Sequence, residues 1–166
     1  MKKLICTLLA LLLVCPAAMA EAPFVYGYDF ETNAVTEDVF SGNALTIVNV
    51  WGTFCGPCIA EMPFLGQLAG EYADRGVRII GIVVDVGNDP AALEKAKTIV
   101  ETTGAGYLHL IPNEYLWNRF CVQSDYIPMS WFLNENGELL DEKPLIGSMD
   151  YESWKSGIDS FLGDPE

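Results

Sequence analysis

Residues 45–50 read Leu-Thr-Ile-Val-Asn-Val, the β-branched apolar run that a strand buried on both faces requires. From Gly56 to Arg75 the pattern changes: Ile59, Met62, Leu65, Ala69 and Tyr72 recur at helical spacing, and Gly76 ends the helix. Val77 to Val84 is a second buried strand. Asp89-Pro90 opens a helix to Thr103, with Pro90 suited to its first turn. Tyr107 to Ile111 is a short strand, and Asn113 can cap a helix reaching Cys121. Pro128 leads into a strand from Met129 to Leu133. Asn134 to Gly137 then form a hairpin turn, and Glu138 to Glu142 return antiparallel. Gly147 and Ser148 introduce a last amphipathic helix from Asp150 to Leu162. Ahead of all this, Phe24 to Phe30 and Ala34 to Val39 are β-prone stretches separated by turn residues, a hairpin-like extension. After that extension the order is β-α-β-α-β-α-β-β-α. It predicts an α/β fold with a central mixed sheet flanked by helices. No repeat, low-complexity tract or linker divides residues 21–166, so one domain is expected.

The first twenty residues belong to a different class. Lys2 and Lys3 precede an apolar run from Leu4 to Val14 that Pro16 ends, and Ala18-Met19-Ala20 offers small residues where a signal peptidase reads. A secretory signal cleaved after Ala20 is expected, rather than an uncleaved membrane anchor. The run is shorter than the ~20 residues that a spanning helix needs. Cys15 follows Val14, which is too large to precede a lipidated cysteine. The chain has 23 acidic and nine basic residues for a net charge of −14, and loss of Lys2 and Lys3 makes the remainder more acidic still. Such a surface favours solubility and argues against nucleic acid or anionic lipid as partner.

Of five cysteines, Cys6 and Cys15 lie in the signal, leaving Cys55, Cys58 and Cys121. Three cannot build a framework of paired disulfides, but one close pair in an exported protein invites a redox reading. Trp51-Gly52-Thr53-Phe54-Cys55-Gly56-Pro57-Cys58 joins a buried strand to a helix start. There the unpaired N–H groups and the positive end of the helix dipole favour a thiolate at Cys55, lowering its pKa from ~8.5 toward ~7 or below. That thiolate can attack a partner disulfide, and Cys58 can resolve the mixed disulfide. Gly56 lets the turn form and Pro57 fixes φ in the first helical turn. Two alternatives use the same residues. Cys55, Cys58, His109 and Cys121 make a Cys₃His zinc set by count, though without a tight second knuckle. A thiol peroxidase would use a lone cysteine in a threonine-containing turn, and Thr53 only weakly matches that.

Ile47-Val48-Asn49-Val50-Trp51, then Cys55-Gly56-Pro57-Cys58, then Glu61-Met62-Pro63, resembles the TlpA/ResA-like branch of thioredoxin-fold thiol–disulfide oxidoreductases. The resemblance runs from about residue 23 to residue 163. It implies a thioredoxin-like fold with a helical insertion near Pro90 to Thr103. It also implies a cis bond before Pro128 facing the cysteines, with Pro128 as a platform for a substrate strand and Ile127 and Phe54 beside the groove. Glu61 is implied as a carboxylate that tunes the cysteines or moves a proton. Asn49 stands where thioredoxin itself has a buried aspartate. Phe54 in place of the usual tryptophan and Met129 in place of threonine are departures from the family pattern, at positions expected to border the groove. Trp51 is expected to pack beside the active-site turn, Trp117, Trp131 and Trp154 to be packing residues, and Cys121 to be a buried inert thiol.

The expectation is an extracytoplasmic, periplasmic or secreted, oxidoreductase that reduces disulfide-containing protein substrates through Cys55 and Cys58. Its electrons would come from a membrane thiol-electron donor, as the resemblance implies. It is expected to act as a monomer without metal or organic cofactor, because a dithiol itself carries two electrons.

Overall fold

The computed structural model describes residues 25–123 and 125–163. The expected signal segment and the start of the expected first β stretch, at Phe24, lie outside them. Strand β1 (Val25–Asp29) and β2 (Ala34–Thr36) are followed by β3 (Leu45–Trp51), α1 (Gly56–Glu71), β4 (Val77–Val83), α2 (Pro90–Thr103) and β5 (Leu108–Pro112). Then come a short α3 (Glu114–Leu116), β6 (Met129–Leu133), β7 (Leu145–Ile146) and α4 (Tyr151–Leu162). The seven strands form one mixed sheet in the order β2-β1-β5-β4-β3-β6-β7. β3 pairs parallel with β4 and antiparallel with β6, and β1 pairs antiparallel with both β2 and β5. The predicted thioredoxin-like architecture with an N-terminal β extension is therefore the architecture found.

β3 lies inside the sheet between β4 and β6, and all seven of its residues are buried. One face packs under α1 and α4, where Leu65 and Leu68 meet Ile47, Ile79 and Trp154. The other face packs Val48, Val50, Ile80 and Ile82 against Phe40, Phe120 and Trp131. Such two-sided burial is why β3 and β4 read as nearly continuous apolar runs. Helix ends follow local chemistry. Asp89 caps α2 by accepting the Ala91 N–H at 2.9 Å, and Asp150 caps α4 by accepting that of Ser153 at 2.8 Å. A 3-10 turn from Ala73 to Arg75 finishes α1, and Gly76 follows in the left-handed region at φ 75°.

Two expected elements differ. Glu138 to Glu142 is not a strand. Asn134 folds its side-chain carbonyl back onto the N–H groups of Asn136 and Glu138, leaving a single bridge between Leu133 and Leu139, flanked by bonds from the Asn134 N–H to Glu138 O and from the Leu140 N–H to Phe132 O. The chain then leaves the sheet, and the ladder resumes at Leu145–Ile146, just past Pro144, which has no N–H to give. The helix expected from Asn113 to Cys121 does start with Asn113 as its cap, but only three residues are α-helical. Trp117–Cys121 widens into a π-helical turn closed by Val122 N–H to Trp117 O at 3.3 Å. This turn leaves Trp117 41% exposed, so it is not the packing residue expected.

One glycine shapes the interior. Gly81 of β4 stands between Asn49 of β3 and His109 of β5 in the strand register. A Cβ at Gly81 would drive into His109 Nδ1 and lie 3.0 Å from Trp51 Nε1. Gly81→Ala is expected to cost about 1–3 kcal/mol through overpacking. Gly70→Ala, on an exposed helix position with nothing within 4 Å, is expected to gain up to about 1 kcal/mol. Denaturant midpoints of the two variants check both signs.

Candidate active site

β3 delivers the chain to the surface at Trp51, and the next turn starts α1. Cys55 is the N-cap: its Sγ accepts the Cys58 backbone N–H at 3.2 Å, taking up one donor that a helix start leaves without a partner. Cys55 and Cys58 are joined by a disulfide with Cα atoms 5.3 Å apart. The two sulfurs differ in access. Cys55 keeps 6% of its surface exposed and Cys58 none. An incoming sulfur can reach only the first.

Residues from distant parts of the chain frame this pair. The Ile127–Pro128 bond is cis, Pro128 is buried, and Ile127 O lies 3.7 Å from Cys55 Sγ. Phe54 is 69% exposed and, with Ile127, Val84, Trp117, Val122 and Asp125, walls a cleft of about 390 Å³ beside the disulfide. Gly56 has open space around it, and Pro57 occupies the first turn of α1. Met129 is only 1% exposed and packs in the core with Val50. It therefore does not border the groove as expected: both faces of β6 are covered, and its side chain is taken up by the core cluster with Val50 and Trp131.

Asp85 is a site residue that sequence reasoning missed. It follows β4 and accepts the Thr53 N–H at 2.9 Å and the Thr53 hydroxyl at 2.6 Å, pinning the turn that precedes Cys55. An acidic residue just past the end of the strand beside the motif-bearing strand was the available signal.

Below the disulfide, Glu61 is 1% exposed. Its Oε1 accepts Asn49 Nδ2 at 3.0 Å, while its Oε2 accepts the Met149 N–H at 3.1 Å and Trp154 Nε1 at 3.2 Å. Burial pushes the carboxyl above its ordinary 4.5, against the three donors that favour the carboxylate. Asn49 also donates to Ser130 Oγ at 3.0 Å. The donors from Met149 and Trp154 come from the far end of the chain, where no local pattern pointed to them. Trp154 thus binds the carboxylate as well as packing.

Trp51 is fully buried beside both cysteines. It donates Nε1–H to His109 Nδ1 at 3.2 Å, and His109 Nε2 lies 2.9 Å from Ala105 O. A ring that accepts at Nδ1 must donate from Nε2, so His109 is the neutral tautomer with both nitrogens engaged. The Cys₃His set is not assembled: no group of three or more potential metal ligands occurs among the described residues. Cys121 has the same 6% exposure as Cys55 and lies in the wall of the cleft, but burial pushes its thiol up to about 12, so almost none is thiolate at neutral pH, which suits an inert side chain.

The comparisons agree with this geometry. Residues 22–110 match the family described as Redoxin. The thiol-disulfide oxidoreductase ResA of Bacillus thuringiensis (strain Al Hakam) is 33% identical over 155 residues, covering 86% of this chain and 75% of that protein. Among solved structures, the thiol:disulfide interchange protein of the thioredoxin family from Chlorobium tepidum TLS aligns with a TM-score of 0.69 at 24% identity, covering 86% of this chain and 95% of the other. The structure of MTB dsbF in mixed oxidized and reduced forms aligns with a TM-score of 0.66 at 15% identity, covering 82% and 93%. These two establish likeness of fold.

Burial lowers the His109 imidazole from 6.5 to about 4. The folded chain therefore keeps His109 neutral while the unfolded chain takes a proton below pH 6.5. Stability is expected to fall, by on the order of 3 kcal/mol, as pH drops from 6.5 to about 4. Glu61 acts with the opposite sign: its raised folded value means that its contribution is lost as pH rises above 4.5 through that value. Unfolding free energies measured across this range in His109→Gln and Glu61→Gln, each against the parent, separate the two slopes.

Proposed function

The chain belongs to the redoxin family, in its ResA-like branch of thiol–disulfide oxidoreductases, and we propose that it reduces protein disulfides outside the cytoplasm. The observation that carries this reading is the unequal pair at the head of α1, one sulfur reachable and its partner enclosed. In the reduced protein Cys55 is the nucleophile. Its thiolate, held by the Cys58 N–H and the helix start, attacks one sulfur of a substrate disulfide and releases the other as a thiolate. Cys58, deprotonated by Glu61, then attacks the Cys55 sulfur. The mixed disulfide breaks, the substrate leaves with two electrons, and Cys55–Cys58 is closed. Glu61 is suited to take that proton because its raised pKa brings it nearer to that of a thiol.

Ile127 and Pro128 serve as the backbone edge along which an extended substrate segment lies, with Phe54 as an apolar contact beside Cys55. Trp51, Gly56 and Pro57 hold the turn. A membrane thiol-electron donor re-reduces the pair, and the protein works as a monomer. Residues 21–166 form the exported domain once the first twenty are removed. The apolar run at Leu4 to Val14 supports export, and the Cys-Gly-Pro-Cys sequence, like that of reducing thioredoxins, supports the reductive direction. Cytochrome c maturation and general periplasmic thiol homeostasis are the two settings such a reductant fits. Thiol peroxidase chemistry has less support: Thr53 commits its hydroxyl to Asp85.

Cys55→Ala is expected to abolish reduction of insulin disulfides, whereas Cys58→Ser is expected to accumulate a mixed disulfide on Cys55 that non-reducing gels and mass spectrometry detect. Undiminished insulin reduction by Cys55→Ala would remove the assignment. For direction, a reduction potential of about −200 mV or lower is expected; a value near about −120 mV, that of a strong oxidant, would reverse it.

A further inference from the structure

The π-helical turn after α3 is anchored on one side and open on the other. Trp131 of β6 donates its Nε1–H to Phe120 O at 3.1 Å, and Arg119, lying over the Phe120 ring, donates to Gly137 O at 2.7 Å. Leu116 and Phe120 are fully buried, whereas Trp117 and Val122 stay at the surface. Such turns are rare and recur at functional sites. This one holds an indole in solvent on a fixed backbone.

Trp117 and Val122 line the cleft beside the disulfide, together with Phe54 and Ile127. Phe54 and Ile127 converge over Gly52: a Cβ there would lie 3.0 Å from Phe54 Cε1 and 3.2 Å from Ile127 Cδ1. Phe54 directly precedes Cys55, and Ile127 O lies 3.7 Å from Cys55 Sγ, so the cleft opens next to the reachable sulfur. Asp125 is the single charged residue in its lining, and the whole chain carries a net charge of −14. Apolar side chains gathered in one exposed cleft mark a surface for binding, unlike apolar residues scattered singly.

We propose that this cleft takes a side chain of the substrate: an apolar residue within two positions of the cysteine under attack, in a segment without acidic residues, with Trp117 as the specificity-determining contact. The proposal rests on the reading that Cys55 exchanges with protein disulfides, and it says which of them are preferred. A segment laid in extended form along Ile127 and Pro128 advances about 3.3 Å per residue, so a side chain one or two positions from the cysteine reaches a cleft that begins beside Cys55. The aromatic walls offer large, rigid contact area to such a side chain, and Asp125 with the acidic surface disfavours a carboxylate there. The cleft takes no part in the bonds exchanged. Reduced Cys55 and Cys58 and one peptide disulfide become the Cys55–Cys58 disulfide and two peptide thiols.

The test uses pre-reduced full-length protein in single turnover against disulfide-linked dimers of one short peptide, with phenylalanine, serine or aspartate placed before or after the cysteine. On one flank or both, the phenylalanine peptide is expected to be reduced about tenfold faster than the serine and aspartate peptides. Trp117→Ala is expected to bring that ratio close to one, and Trp117→Phe to keep most of it. Equal rates for the three residues on both flanks, or a preference that Trp117→Ala leaves intact, would overturn the proposal while leaving the reductase reading in place. Binding is read separately: the phenylalanine peptide with its cysteine replaced by serine is titrated into oxidised protein, and the Trp117 indole N–H resonance, assigned by its loss in Trp117→Phe, is expected to move. If the protein reduces none of the peptides, the reductase reading fails, and this resonance decides the cleft by itself: movement upholds it, and no movement overturns it.

Discussion

The hydrogen bond from the Cys58 backbone N–H to Cys55 Sγ fixes the rest of the site. It exists because a helix must begin directly after a buried strand, and a helix start needs an acceptor for its free donors. Serine, threonine or aspartate would ordinarily supply it. Here a sulfur does, so the group that caps α1 is also the one that meets a partner. The three-residue spacing then turns the second sulfur inward, and access and enclosure are divided between two side chains within one turn of helix.

Enclosing Cys58 creates an electrostatic difficulty, because a thiol away from water loses its proton reluctantly. The carboxylate of Glu61 lies one turn further along the same buried side. It is kept there by Asn49, the Met149 backbone and Trp154, which offset the loss of water at both oxygens. The polar row across the sheet, Ser130, Asn49, Gly81 and His109 in register, is a consequence: a buried carboxylate needs donors beside it, and Asn49 supplies one. Gly81 makes room in that row for His109, which in turn holds Trp51 against the disulfide.

What could be read in the sequence was what is local. The Cys-Gly-Pro-Cys turn, the largely apolar β3 and β4, the helix start at Asp89-Pro90, and Glu61 three residues after Cys58 all follow from spacing along the chain. What could not be read arrives through tertiary contact. Two of the three donors to Glu61 come 88 and 93 residues later in the chain. The misread elements share a cause. In the stretch after β6, Asn134 and Pro144 broke the return strand that the hairpin turn suggested, and beyond Asn113 a single wide turn exposed Trp117, which was expected to pack.

Sulfur asymmetry is the central claim, and limited alkylation measures it directly. Reduced protein treated at neutral pH with less than one equivalent of iodoacetamide, then mapped by peptide mass spectrometry, should carry the label on Cys55, with Cys58 and Cys121 nearly unmodified. Labelling of Cys58 or Cys121 as fast as Cys55 would contradict the account.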